Sequence, residues 1–132
     1  MGLKTLSIAT GLRIQFNRCR PGPMWIFLSD AFLSVVADKA DPNGERLLVR
    51  ARRAGDIERV FPEAEVFSVA GADYGFRAWL PRQRVADAVQ ERVQTLAYTN
   101  FKDSIEDAAY HDAALAAWTA MYRYQQQADR NP

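Results

Sequence analysis

The alternation of apolar and polar positions changes period along this chain, and those changes mark its elements. From Met24 the run WIFLSDAFLSVVADKA is rich in Trp, Ile, Phe and Val. Its polar break at Ser29-Asp30 predicts two strands, or one bent strand, near residues 25–28 and 31–37. Asp41-Pro42-Asn43-Gly44 reads as a turn, since proline presets φ and the Asn-Gly pair tolerates positive φ. Leu47 to Arg53 alternates, with Leu47, Val49 and Ala51 on one face and Leu48, Arg50 and Arg52 on the other. Gly55-Asp56 then opens a short helix carrying Ile57, Val60 and Phe61, with Asp56 as its expected cap, and Pro62 stops it.

The second half returns to period two before settling into helix. Glu65–Ala70 and Tyr74–Leu80 are expected to pair as a hairpin about Gly71-Ala72-Asp73. Pro81 ends that strand. Val85, Val89, Val93 and Leu96 recur at helical spacing over Arg82–Ala97. A second helix is expected from about Phe101 to about Gln126, with Phe101, Ile105, Ala108, Leu115, Trp118 and Tyr122 on one broad stripe. The order of elements predicts an α+β domain over residues 24–128. Its sheet is mostly antiparallel, with ferredoxin-like split βαβ features, and is covered by two long C-terminal helices. The eleven residues Ala54–Ala64 are short for a parallel crossover, so a simple antiparallel sheet is the competing arrangement. Residues 129–132 are expected to fray.

Composition narrows the class. At 132 residues, 48% hydrophobic and 25% charged, the chain has room for one core and needs no staple. Residues 1–23 hold Lys4, Arg13, Arg18 and Arg20 with no acid, a charge of +4. Against +1 for the whole chain, that leaves −3 for the remainder. A mildly acidic body has no global attraction for nucleic acid, so any such binding needs a local patch. Three readings of residues 1–23 compete: a start extension ahead of Met24, an edge hairpin over Leu6–Phe16 about Gly11, and a targeting leader. No apolar run reaches the length of a membrane span, and one cysteine, Cys19, fits a reducing compartment; a cytoplasmic location is expected.

Candidate chemistry gathers in two places. Arg50 and Arg52 share a strand face, and Arg77 and Trp79 share a face of the later hairpin. If the two faces coincide and lie open, these four side chains form an arginine and aromatic surface of the kind that binds single-stranded nucleic acid. Solvated or acid-paired arginines lying on Trp79 are the plainer reading. The second place is the last helix, where Tyr110, Trp118, Met121 and Tyr122 exceed what one core stripe needs and suggest a protein interface or homodimer. His111, with Asp107 four residues earlier and Asp112 beside it, has the makings of a carboxylate-held base. No second histidine stands by to share a metal, and no phosphate-binding glycine loop occurs, so no metal, cofactor or catalytic set is expected.

The segments MWIFLSDAFLSVVADK, LLVRARRAGDIERVFP, ADYGFRAWLPR, YTNFKD and HDAALAAWTAMYR resemble a family of small bacterial and phage proteins whose activity is not established. The resemblance spans about residues 24–124. It matches at Asp73, Tyr74, Arg77, Asn100, Phe101, Lys102, His111, Asp112 and Trp118 and implies no catalytic role for any of them. By context it implies an accessory protein of a mobile element or phage. The expectation from the sequence is a non-catalytic, cytoplasmic protein-interaction module, with a single-stranded nucleic-acid binder as the alternative.

Overall fold

A computed structural model of the chain describes residues 5–7, 13–15 and 23–130. Strands β1 (Thr5–Ser7) and β2 (Arg13–Gln15) pair antiparallel as a small sheet of their own, separate from the main one. These strands fall within the region expected as an edge hairpin over Leu6–Phe16, but they pair with each other and not with the main sheet. The Gly11 turn and Cys19 lie outside the described residues.

The main sheet contains β3 (Met24–Phe27), β4 (Phe32–Ala37), β5 (Arg46–Ala51), β6 (Phe67–Ser68) and β7 (Phe76–Pro81), in the order β3-β4-β5-β7-β6. Every neighbouring pair is antiparallel. β5 and β6 both run against the β7 strand between them, so they are parallel to each other, and α1 (Asp56–Val60) makes the crossing. The two arrangements that competed in the sequence are therefore one. With β6 starting only at Phe67, the connection from the end of β5 covers the fifteen residues 52–66, which is long enough for the crossing. The expected strand over Glu65–Ala70 shrinks to two paired residues.

Period two sorts the side chains. Leu33, Val35, Val49, Ala51, Ala78 and Leu80 point to one face and are buried. Against them lie Ile57 and Phe61 at α1, and Val85 and Ala88 of α2 (Arg82–Gln94). Phe61 is the largest fully buried side chain; burial of such a ring contributes about 2–3 kcal/mol. The chain turns into α1 at Gly55, whose φ of 91° is a conformation that a side chain would strain.

α3 (Ala108–Ala128) is the long terminal helix. The fold is α+β with two long helices after the sheet, but the cover on the core face comes from α1 and α2. Ala114 is the only buried residue of α3. Its start is also later than expected. Asn100 Oδ1 accepts from Lys102 N at 3.1 Å and so turns Lys102–Ser104 into a short 3₁₀ turn. Asp107 then caps the helix by accepting from Tyr110 N at 2.8 Å. Ile105 is buried ahead of the helix, and Leu115, Trp118 and Tyr122 of the expected core stripe are exposed. No helix among the described residues is long and apolar enough to cross a membrane.

Candidate functional site

The register answers whether the sheet arginines meet. Arg50 stands opposite Arg77, and Leu48 opposite Trp79, so Arg50, Arg77 and Trp79 share the face turned away from α1 and α2. Ser34, opposite Arg50 on the other side, and Trp25, opposite Ser34, lie on it too. Like charges directly across a ladder repel, and the neighbours relieve this pair. Arg50 Nη2 donates to Ser34 Oγ at 2.8 Å, and its guanidinium lies 4.5 Å over the buried Tyr74 ring. Arg52 lies 4.1 Å over the same ring and donates to the Asp73 carbonyl at 2.8 Å. Arg77 donates from Nε to the Tyr74 carbonyl at 3.2 Å, with Asp73 Oδ1 at 3.9 Å from its Nη2.

All three guanidiniums are thus engaged within the sheet corner around Tyr74. Each such contact is worth about 0.5–1 kcal/mol where exposed and more where desolvated. What the same face offers outward is aromatic: Trp25, Phe27, Phe67 and Trp79 are exposed large side chains. Trp79 is itself partly covered by Arg46, whose guanidinium sits 4.6 Å over it while pairing with Asp38.

A second cluster joins the far end of the sheet to α3. Asp56 is only 3% exposed, although it carries a carboxylate. Its place at the start of α1 predicts a helix cap, but Gly55 occupies that position. The Asp56 carboxylate accepts instead from Phe32 N at 3.1 Å, Arg53 Nε at 2.9 Å and Arg59 Nη1 at 2.7 Å. Arg53 reaches on to Asp107 Oδ1 at 3.1 Å. Asp30 takes a bidentate pair from Arg92, at 2.8 and 3.2 Å. The Tyr110 hydroxyl sits 2.7 Å from the Leu28 carbonyl and 3.0 Å from that of Ala31, its proton shared between them. Burial pushes that hydroxyl well above the ordinary phenol range, and the Asp56 charge adds to the effect. Tyr110, expected at an interface, is therefore the bolt that fastens α3 to the β3–β4 turn. This cluster saturates its own charges and is a joint.

His111 has Asp112 Oδ1 at 3.7 Å from its Nδ1. Asp107, the expected orienting carboxylate, is committed to Arg53 and to the Tyr110 amide. Among the described residues no three His, Cys, Asp or Glu side chains gather as a metal site.

The remaining expected residues lie on α3. Leu115, Trp118, Met121, Tyr122 and Tyr124 are between 38% and 64% exposed. Trp118 and Tyr122, one turn apart, stack with ring centres 5.4 Å apart and planes 5° from parallel. Lys102 Nζ lies 4.3 Å over the Trp118 ring. On the side of the helix away from Ala114, Asp112, Leu115, Ala116, Thr119, Ala120 and Arg123 line one shallow groove. Apolar periodicity does not mark this strip, because alanines give no hydrophobic signal of size. Its regular 4-3-4 spacing from Asp112 to Arg123 was the available clue. No family model, curated protein or solved structure matches the chain.

Proposed function

We propose that this chain is a non-catalytic protein-interaction module whose contact surface is the exposed part of α3, with Trp118 and Tyr122 on the flank beside Lys102. One observation carries the reading: a helix of 21 residues buries only Ala114 while presenting a Trp, two Tyr, a Met and a Leu to solvent. Helices that lack tertiary packing are marginal in water, so a helix this thinly supported gains much from a partner. Trp and Tyr are the side chains that most often dominate interface energetics. The stacked Trp118 and Tyr122, steadied by Lys102, form a pre-ordered anchor that loses little entropy on binding. An accessory role, as the family resemblance implies, fits such a module.

The test is a double variant, Trp118→Ala/Tyr122→Ala, compared with the parent chain for co-purifying protein in the native host and for self-association in solution. Because both residues are exposed, the urea midpoint is expected to move by no more than about 1 kcal/mol in stability. Loss of an associated protein, or of self-association, is the expected result. Identical association by both chains, or unfolding of the variant, overturns the reading.

The shared register of Arg50, Arg77 and Trp79 supports a second reading, a single-stranded nucleic-acid binder that also uses Arg52. That reading requires the guanidiniums to leave Tyr74, Ser34 and Asp73. It predicts oligonucleotide binding that falls steeply with salt and disappears in Arg50→Ala/Arg77→Ala. Absent or salt-insensitive binding removes it.

A further inference from the structure

We propose that the partner of α3 is a second copy of this chain, bound antiparallel about a two-fold axis that passes between Ala117 and Trp118. This inference rests on α3 being a contact surface and names what covers its strip opposite Ala114; Trp118 and Met121 lie nearer Ala114, outside the seam.

The groove on α3 is palindromic. Asp112 and Arg123 close its two ends, and Leu115 with Ala120, and Ala116 with Thr119, nest inside them about the same midpoint. Eleven residues make three helical turns, so Asp112 and Arg123 lie on one stripe about 16 Å apart. When a second α3 is laid antiparallel along that stripe, each Asp112 meets an Arg123, twice over. A parallel pair sets Asp112 against Asp112 and Arg123 against Arg123, and so is disfavoured. The helix therefore carries charge complementarity to itself in one orientation only, as a two-fold interface requires.

Size is complementary as well. Asp112, Ala116, Thr119 and Arg123 have the four-three-four spacing of a helix seam. Its two central residues are small, so the axes approach to near the lower end of the usual 8–10 Å. Thr119 causes no polar penalty there, since its hydroxyl already donates to the Leu115 carbonyl at 2.9 Å and presents its methyl. Along one flank of the seam Leu115 of each copy faces Tyr122 of the other. Along the other flank Ala113 faces Ala120.

Both end charges are available for the exchange. The Asp112 side chain is 85% exposed, and its ion-pair contact is His111 at 3.7 Å. Arg123 has no carboxylate within ion-pair distance among the described residues. One helix from each copy makes a contact at the small end of specific interfaces, so the dissociation constant is expected in the range of about 1–100 μM.

Sedimentation velocity of the full chain from a few to a few hundred micromolar tests this, using charge exchange. The parent chain is expected to pass from monomer to dimer. Asp112→Arg alone and Arg123→Asp alone are each expected to stay monomeric. The double variant Asp112→Arg/Arg123→Asp recovers the dimer, and a mixture of the two single variants forms a one-to-one heterodimer. Unchanged circular dichroism and urea midpoint establish that every variant is folded, as expected for exposed positions. A parent chain that stays monomeric, or a dimer indifferent to both single changes, overturns the inference. Neither result touches the wider reading: a monomeric parent that still loses a host protein on Trp118→Ala/Tyr122→Ala keeps α3 as a contact surface for something else.

Discussion

Asp56 shows how far a single side chain can depart from what its position suggests. A carboxylate at the first residue of a helix is ordinarily a solvated partner of the helix dipole. Here it is buried and joins the start of β4, the end of β5 and α1 through Phe32 N, Arg53 and Arg59. Asp56→Ala leaves the Phe32 amide and the Arg59 guanidinium without this acceptor and leaves Arg53 to Asp107 and the Asp30 carbonyl. We expect a loss of about 2–4 kcal/mol, read from the urea midpoint at unchanged m-value, with a smaller loss for Asp56→Asn, which keeps an acceptor for Phe32 N. Tyr110 gives a pH signature. Its hydroxyl ionises near 10.0 in the unfolded chain and higher in the folded one. The stability it confers is therefore complete below pH 10 and declines as pH rises toward the folded value. Denaturation from pH 8 to 11 is expected to show this decline in the parent and a shallower one in Tyr110→Phe. That variant starts lower at pH 8 by about 1 kcal/mol because the Leu28 and Ala31 carbonyls lose their donor. None of this was legible in the sequence. Phe32 and Tyr110 lie 24 and 54 residues from Asp56, and no local rule links them.

At the level of elements, sequence pattern succeeded where burial follows period and failed where a side chain overrides it. β4, β5, β7 and α2 lie close to their expected spans because their apolar positions face one core. The last helix was expected from Phe101 because its stripe continues backward through Ile105. The Asn100 turn and the Asp107 cap instead commit the chain to a helix only from Ala108. A Ser, Asn or Asp that captures nearby amides competes directly with helix, and the apolar pattern does not report it. Asp107→Ala removes both the cap and the Arg53 partner. It is expected to cost about 1 kcal/mol, confined to the first turn of α3, and amide exchange at Tyr110 should quicken about fivefold while the strands of the sheet are unchanged.

For the molecule as a whole, the α+β class and the antiparallel sheet could be read from alternation, because β4, β5 and β7 each have one wholly apolar side. The face carrying Arg50, Arg77 and Trp79 was also legible as a possibility, but its register was not. Only the pairing of Arg50 with Arg77 and the burial of Tyr74 reveal that those arginines serve the sheet corner. The β3–β4 turn has a consequence of its own. Residues 28–31 receive Arg92 from the end of α2 and Tyr110 from the start of α3, across sequence separations of 62 and up to 82. Contacts so distant along the chain must wait for the sheet, since loop closure has to be met before they form. The terminal helix thus docks late in folding and detaches early under stress, as an arm on a latch. A protease adding its first cut between Thr95 and Phe101 would then release the arm and leave the sheet intact.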